Sequence, residues 1–449
     1  MKLKKLVALL LCAAVMLPLA ACVKKPGGSE NSSDTSSSES TAVTPAKDKD
    51  TSIVATDKSR KGPAVQDLMK GITKGKGVSK KPDSRFENAA ASFALDLFRD
   101  EYKSGRKTLV SPLSVFTALA MTQNGAEDRT LSEMQKTLGG LDRDVLNAYM
   151  NAYLAELTGK DSALKCANSI WVDSKLDVKR AFLQKNADFY SAQAYKADFT
   201  STRTVKEINS WVSKNTNGMI KKLVDEFDPL TVMVLMNALC LEAEWDDPYT
   251  DNCVREGTFK NANGNLVKAE YMYSQETEYI ETENATGFVK YYKGGKFAFV
   301  ALLPNEGTSI DSYIASLTGK GFLGALNSRK NTQVNTQMPK FKCEYSNSLV
   351  NTLKKMGMGT AFDENKANFS SIADNSNGNI FIGEVIHKTF IEVAEKGTRA
   401  GAVTAVISEK SAAMPVEQPK EVRLTRPFVY AIIDTQTNLP LFIGAQTDI

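Results

Sequence analysis

The chain is short of the residues that most often carry catalysis. Its 449 residues include one histidine, His387. That residue could serve a Ser-His-Asp triad, but the sequence has no G-x-S-x-G motif and His387 stands inside an apolar strand pattern. The run Gly294-Gly295-Lys296 lacks the spacing and the following Ser or Thr of a phosphate-binding loop and is typical of a turn. We therefore predict that the protein is not an enzyme and has no cofactor.

Cysteine is also scarce. Six cysteines are present and none belongs to a C-x-x-C pair. Two lie near the N-terminus, and the other four are too far apart in sequence to suggest a zinc site or a disulfide framework. We expect no metal site, and buried or free thiols at Cys166, Cys240, Cys253 and Cys343.

The chain carries little net charge. The formal charge is +4, and three of the positive charges belong to lysines among the first five residues. The remainder has a charge near +1, which gives no basic surface for a nucleic acid or another polyanion. We therefore predict no nucleic-acid partner.

The first 84 residues have the pattern of an export signal and a tether. Basic residues precede an apolar run from Leu6 to Leu19 that is too short to span a membrane and contains Pro18. It ends in Leu19-Ala20-Ala21-Cys22, which resembles a lipoprotein cleavage box. We expect a signal peptide over 1–21, a lipid on Cys22 and a polar, disordered tether over 22–84. The protein would then be exported and held at a cell surface by its lipid.

Residues 85–449 have the composition and periodicity of one large globular domain. Helical patterns occupy the first half, and strand patterns dominate the second half without regular alternation of the two, which favours an α+β fold. The predicted helices are 112–124, 130–138, 143–157, 179–191 and 205–217. The predicted strands are 231–243, 288–304, 333–343, 379–394, 427–434 and 440–446.

The segment that follows Glu395 looks like a strand but occupies the position of a loop. Side chains alternate between the two faces of a strand, and here one face carries only small residues. The charged Arg399 falls on the other face. The segment could therefore slide between existing strands with its small face inward, at Thr398, Ala400, Ala402, Thr404, Val406 and Ser408.

An ordered series of motifs over 85–449 resembles the serpin family of serine protease inhibitors. Single motifs are weak, but their order along the chain matches the family throughout. They are Ser111-Pro112-Leu113-Ser114, Ala167-Asn168-Ser169-Ile170-Trp171, Ile208-Asn209-Ser210-Trp211, Asn237-Ala238-Leu239, Trp245, Met338-Pro339-Lys340-Phe341, Ala367-Asn368-Phe369-Ser370 and Val385-Ile386-His387-Lys388. The resemblance implies helices around a large mixed or antiparallel sheet, smaller sheets and an exposed reactive loop.

The resemblance also implies three groups of functional residues. The shutter, a polar cluster beneath the point where the main sheet opens, would contain Ser111, Ser114, Asn237 and His387. The breach, at the top of that opening, would contain Trp245, Lys340 and Glu395. The hinge of the reactive loop would contain Glu395, Gly397, Thr398, Ala400, Ala402 and Thr404. The chain departs from the family at Arg399, where an acidic or neutral residue is usual, and at Glu242-Ala243, where a basic residue and glycine are common.

The partner implied by the resemblance is a serine protease that becomes covalently trapped on a monomeric inhibitor. The family spacing of seventeen residues from Glu395 places the reactive bond at Ser411-Ala412, which suits elastase-like or subtilisin-like enzymes. A spacing of sixteen gives Lys410-Ser411 and a trypsin-like target. The loop is about five residues longer than in the best-known members, so the spacing does not decide which of these two bonds is the reactive bond. A non-inhibitory serpin that acts as a surface binding protein is the remaining alternative.

Overall fold

The computed structural model describes residues 65–159, 162–228, 230–374, 379–398 and 418–449, with the backbone alone at residues 237 and 238. These residues belong to one compact unit, Lys61–Ile449. Over the described ranges the α-helices are α1 Ser84–Glu101, α2 Pro112–Thr122, α3 Asp128–Thr137, α4 Arg143–Leu157, α5 Arg180–Tyr190, α6 Thr202–Asn215, α7 Ile310–Ser316, α8 Gly319–Asn327 and α9 Val350–Lys355. None of the helices in these ranges combines the length and the apolar composition that crossing a membrane requires.

The first sheet contains the strands that form the functional site. Its order is β1 Val65–Asp67, β4 Gln193–Ala197, β3 Leu164–Asp173, β5 Met233–Leu241, β13 Glu384–Ala394, β14 Gly397–Thr398 and β6 Ala243–Glu244. The strand β12, Phe341–Ser348, pairs antiparallel with the outer side of β13. β13 and β5 are parallel neighbours, so the sheet is mixed.

The second sheet has the order β15 Lys420–Arg423, β11 Lys330–Pro339, β8 Leu266–Glu281, β9 Ala285–Tyr291, β10 Phe297–Pro304, β16 Phe428–Asp434, β17 Pro440–Gln446 and β2 Thr108–Val110. The strand β7, Val254–Lys260, pairs with β8. β10, β16 and β17 are buried along their whole length, which explains their continuous apolar sequences.

Helix α2 lies between the two sheets. All eleven of its residues are buried, none of them is charged, and the helix contacts both β5 and β17. Pro112 occupies the first turn, where the missing N–H removes no helical hydrogen bond. Because the helix is apolar on every side, it must be enclosed by other elements, and its N-terminal Ser111 is thereby held beneath the first sheet.

The predicted elements agree with the structure in type and differ mainly at breaks within long apolar runs. The predicted strand 288–304 is a pair, β9 and β10, joined by a turn in which Gly294 and Gly295 have positive φ. The predicted strand 333–343 is also a pair, because the chain passes from β11 in one sheet to β12 in the other at Lys340.

The segment before α1 differs from the predicted tether. Residues 65–67 form the strand β1 on the edge of the first sheet, and the following residues run along α4 and α5. The backbone carbonyls of Gly71 and Thr73 accept hydrogen bonds from Arg180 and Gln184, at 3.1 and 2.8 Å. Leu68, Met69 and Ile72 pack against the core. Residues 65–83 therefore belong to the packed body, because even a polar stretch can be ordered by a few apolar side chains and an available sheet edge.

Candidate functional site

The site is a slot between the parallel strands β13 and β5. These strands pair directly only through Glu384 with Val234 and Val385 with Leu235, at one end. At the other end, β14 lies between β13 and β6, the short strand that follows β5, and it is antiparallel to both. The two residues of β14 therefore occupy the top of the slot as the beginning of an inserted strand.

The hinge residues Gly397 and Thr398 fit the slot closely. A Cβ atom on Gly397 would lie 2.1 Å from the carbonyl oxygen of Ala243, and its φ is +151°, so only glycine can occupy this position. Thr398 is 3% exposed, and its hydroxyl lies 2.5 Å from the Tyr292 hydroxyl. The side chain of Thr398 therefore faces the interior.

The residues Trp245, Lys340 and Glu395, assigned to the breach by resemblance, lie together beside β14. The Lys340 ammonium lies 2.7 Å from Glu395 Oε1 and 3.0 Å from Glu270 Oε2. The Trp245 indole N–H donates to the Ala394 carbonyl at 2.9 Å, and its backbone N–H donates to the Lys396 carbonyl at 2.9 Å. These contacts fix the backbone where it turns from β13 into β14.

Charge and burial have opposing effects on the pKa values of Lys340 and Glu395. Partial burial of Glu395 raises its pKa, but the hydrogen bond from Lys340, a backbone hydrogen bond and the Lys340 charge together outweigh burial and hold that pKa below its usual value. Burial likewise lowers the pKa of Lys340, and the bonds to Glu395 and Glu270 reverse the effect. Both groups are therefore charged at neutral pH, and about a quarter to a third of each side chain stays exposed.

A second ion pair lies deeper, and sequence reasoning missed it. Lys290 lies 2.8 Å from Glu276, with side-chain exposures of 2% and 12%. Its ammonium lies 4.5 Å from the centre of the Tyr249 ring and 5.7 Å from that of Trp245. The only signal for this pair is a lysine inside the apolar pattern of β9. It supports the back of the Trp245 side chain through a cation–π contact.

The shutter end of the slot is buried. His387 is 4% exposed, and its Nε2 accepts the backbone N–H of Ser111 at 3.0 Å. The Ser111 hydroxyl donates to the Leu441 carbonyl at 2.8 Å, which joins the cluster to the second sheet. Ser114 is buried in the first turn of α2. Of Asn237, only the backbone is described, and continuing the β13–β5 register places it level with His387.

Burial determines the protonation state of His387. Removal from water lowers the pKa of its imidazole to about 4, although the negative charge of Glu101 acts in the opposite direction. At neutral pH the imidazole is therefore uncharged, and Nε2 can accept the Ser111 N–H. Charging it would place a proton on the acceptor atom and break this hydrogen bond.

Glu101 lies at the shutter and is a further residue that sequence reasoning missed. Its carboxylate is 2% exposed and accepts hydrogen bonds from Tyr345 at 2.6 Å, Asn347 at 2.7 Å and Thr352. Asn347 is the β12 residue that pairs with His387. Three donors explain how a carboxylate can remain at the end of α1 in an apolar setting. A helix-terminal glutamate carries no sequence signal that separates this position from an exposed one.

Several predicted site residues fall outside the described ranges. They are the lipid-bearing Cys22, the hinge residues Ala400, Ala402 and Thr404, and the reactive-bond residues Lys410, Ser411 and Ala412. Among the described residues, Cys166, Cys240, Cys253 and Cys343 form no disulfide with one another. Within the described ranges, no group of three or more His, Cys, Asp or Glu side chains could hold a metal ion.

The arrangement of two sheets, central helix and slot matches known proteins of one family. The sequence profile of the family described as Serpin (serine protease inhibitor) matches residues 88–449. An uncharacterized serpin-like protein of Thermococcus kodakarensis is 32% identical over 364 residues, covering 80% of this chain and 84% of that protein. Serpin B6 of Pongo abelii is 31% identical over 372 residues, covering 79% and 97%. The chain therefore belongs to the serpin family.

Solved structures agree with this assignment. The native state of the thermophilic serpin tengpin superimposes with a TM-score of 0.82 at 42% identity, covering 86% of this chain and 100% of tengpin. Its latent state gives a TM-score of 0.73 at 40% identity, covering 83% and 100%. The predicted α+β serpin fold is confirmed. Serpins in general inhibit serine proteases and are not enzymes.

Proposed function

We propose that this serpin inhibits a serine protease as a suicide substrate, by inserting its cleaved reactive loop into the slot. The observation that carries the proposal is the position of β14, which already pairs with both walls of the slot at its upper end. Its residues Gly397 and Thr398 fit there with the small face inward. Nothing bulky or charged follows on that face as far as Ser408, as an insertable hinge requires.

The register of β14 indicates how far insertion can proceed. If the pairing of β14 is continued along β13, residue 404 lies opposite His387. If it is continued along β6 and β5, residue 404 lies opposite residue 237. The registers counted along the two walls therefore agree, because His387 and residue 237 are level with each other. Residue 406 then meets the row where Val385 and Leu235 pair directly. Full insertion must therefore break the direct pairing between Val385 and Leu235, which lies next to the shutter.

The chemistry of the proposal belongs to the target protease. Its serine hydroxyl would attack the carbonyl carbon of Ser411, lose its proton to the protease histidine and expel the amino group of Ala412, leaving an ester between the two proteins. Insertion would then carry the ester along the slot before water can hydrolyse it. About ten inserted residues at ~3.3 Å each would move it by roughly 30 Å.

The free energy of insertion is sufficient to disturb the protease. An inserted strand forms backbone hydrogen bonds with both walls, each worth about 0.5–1.5 kcal/mol net. The sum is on the order of 10–20 kcal/mol, which exceeds the stability of many domains. Distortion of the catalytic site of the attached protease is therefore energetically feasible.

The target class follows from the reactive bond. The Ser411-Ala412 bond suits proteases of the elastase or subtilisin type, which have pockets for small residues, whereas Lys410-Ser411 would suit a trypsin-like enzyme. Intact-mass analysis after incubation with one protease of each type reports the cleaved bond and any covalent adduct together. We expect an adduct with the elastase-like or subtilisin-like enzyme and cleavage after Ser411. Cleavage without adduct by every protease would contradict the inhibitory proposal.

We also propose that the protein acts at a cell surface, attached through a lipid on Cys22. The support is the Leu19-Ala20-Ala21-Cys22 sequence and the polar stretch that follows it. Cys22→Ser should move the protein from the membrane fraction to the medium. A wild-type protein found only in the medium, without lipid mass on Cys22, would exclude the anchor.

A further inference from the structure

Three consecutive backbone carbonyls form the turn that leads from β13 into the hinge strand β14, and two aromatic residues donate hydrogen bonds to all of them. The indole N–H of Trp245 donates to the carbonyl of Ala394, and its backbone N–H donates to that of Lys396, both at 2.9 Å. The backbone N–H of Tyr249 donates to the carbonyl of Glu395 at 2.9 Å. The position of β14 at the top of the slot therefore depends on where Trp245 and Tyr249 lie.

A buried ion pair contacts both of these aromatic side chains. The ammonium of Lys290 lies 4.5 Å from the centre of the Tyr249 ring and 5.7 Å from that of the Trp245 ring. Its counter-ion is Glu276, at 2.8 Å. Ser274 links this carboxylate to Tyr249, because its hydroxyl lies 2.6 Å from Glu276 Oε1 and 3.2 Å from the Tyr249 hydroxyl. The pair therefore acts on Tyr249 at two points, the ring and the hydroxyl.

Stability alone does not account for the two buried charges. The side chains of Lys290 and Glu276 are 2% and 12% exposed. Removing two such charges from water can cost as much free energy as their attraction returns, so two apolar residues of similar size often stabilise a fold equally well or better. Charges can, however, fix an orientation that apolar contacts leave free, because a cation is attracted to the face of an aromatic ring and a carboxylate accepts directed hydrogen bonds.

We infer that Lys290 and Glu276 are positioning residues for the reactive loop. By fixing the two aromatic residues, they keep the turn between β13 and β14 in place, and with it Thr398 at the top of the slot. A cleaved loop can then continue downward from a strand that is already seated. The inference rests on the proposed inhibition by insertion, but the seating itself belongs to the uncut protein and can be measured without a protease.

A paired substitution separates positioning from stability. Lys290→Met with Glu276→Met removes both charges, leaves neither one buried alone and fills the space with flexible side chains. The melting temperature should therefore be equal to that of the wild type or higher. Hydrogen exchange of the backbone over residues 245–249, followed by mass spectrometry, should become about fivefold faster, which is the shift that one lost hydrogen bond produces. With an elastase-type enzyme, the ratio of SDS-resistant complex to cleaved serpin should fall by a similar factor.

Two further variants sharpen this test. Lys330→Met with Glu281→Met makes the same chemical change at an exposed ion pair between β11 and β8. This matched control should change neither the exchange over 245–249 nor the complex ratio. Tyr249→Phe removes only the hydroxyl that Ser274 contacts and leaves both charges paired, so it should fold normally and speed the exchange by a smaller factor, about twofold.

The outcomes distinguish the inference from the proposed function. Wild-type exchange over 245–249 in the variant that lacks both charges would overturn the inference, and so would faster exchange with an unchanged complex ratio. A lower melting temperature with faster exchange throughout the chain would show a merely structural pair and would also overturn it. A wild type that forms no complex with any protease would instead overturn the proposed function, and the exchange measurement would still decide whether the pair seats the hinge.

Discussion

At the hinge end of the slot the Lys340–Glu395 ion pair is partly exposed, whereas at the shutter end the His387–Ser111 hydrogen bond is neutral and buried. Lys340 and Glu395 remain in contact with water, so separating them costs little. His387 and Ser111 are almost fully buried, so separating them would leave a polar group without a partner. The slot can therefore open readily from the hinge end, and it resists opening at the shutter end.

This asymmetry fits a protein that must remain uncut for a long time and then change quickly. The hinge strand is already seated where opening is easy, and the rows of direct pairing lie where it is difficult. An uncut chain would be held by the shutter end, and its lifetime would be set by the rate of opening there. Cleavage frees the hinge to continue downward through the slot.

The largest effect is expected from blocking the hinge end. Thr398→Arg would bury a charge beside Val393 and Tyr292, which is strongly unfavourable without a partner. Insertion should stall, and the protease should cut the loop and leave, so SDS-resistant complex should fall to a trace. The control Thr398→Val keeps the size and removes only the hydroxyl, and it should retain most of the complex. Complex formation by the arginine variant at the wild-type level would contradict the inward orientation.

Acid should weaken the shutter end. The pKa of His387 is about 4 in the folded protein and 6.5 in an unfolded chain. Its contribution to stability is therefore full above about pH 6.5 and is lost as the pH falls towards 4, because protons bind the unfolded chain more readily. The difference between the two pKa values corresponds to about 3 kcal/mol. The melting temperature should fall between pH 7 and pH 4.5, and by less in His387→Gln, which has no titrating group there. If the melting temperatures of the wild type and of His387→Gln fall by the same amount with pH, His387 is not the cause of the acid destabilisation.

Loss of the shutter hydrogen bond should cost more than loss of the breach ion pair. His387→Leu removes the acceptor of a buried N–H and should destabilise the uncut protein by about 1–3 kcal/mol. Lys340→Met leaves Glu395 partly in water and should cost about 1 kcal/mol or less. Thermal unfolding of the two variants at pH 7 makes the comparison, and a larger loss for Lys340→Met would reverse the proposed order of the two ends.

The faces of strands and the apolar elements could be predicted from the sequence better than the buried charges around the slot. The alternation of small residues after Glu395 predicts an inward Thr398, and Thr398 is buried in the structure, because strand geometry alone decides which face a side chain takes. The buried and uncharged α2 and the hairpin of β16 and β17 could also be predicted, because continuous burial leaves a mainly apolar sequence.

The buried charges could not be predicted in the same way. Periodicity shows which face of a strand is inward, but it does not identify the partner that makes a buried charge tolerable. Lys290 depends on Glu276 and two aromatic rings, and Glu101 depends on three donors from β12 and α9. These contacts join residues far apart in the chain and become visible only once the sheets are assembled. The turn at Gly294 was expected from its two glycines, but the break at Lys340 was missed, since the strand pattern of 333–343 runs through it.

After cleavage, the slot should accept the loop as a new strand. Differential scanning calorimetry of the uncut protein and of the protein nicked near Ser411 by an elastase-type protease tests it most directly. Insertion worth 10–20 kcal/mol should raise the melting temperature by tens of degrees, because about 1 kcal/mol shifts a large domain by only a few degrees. Equal or lower melting of the nicked protein would show that the loop stays outside the sheet and would contradict the account.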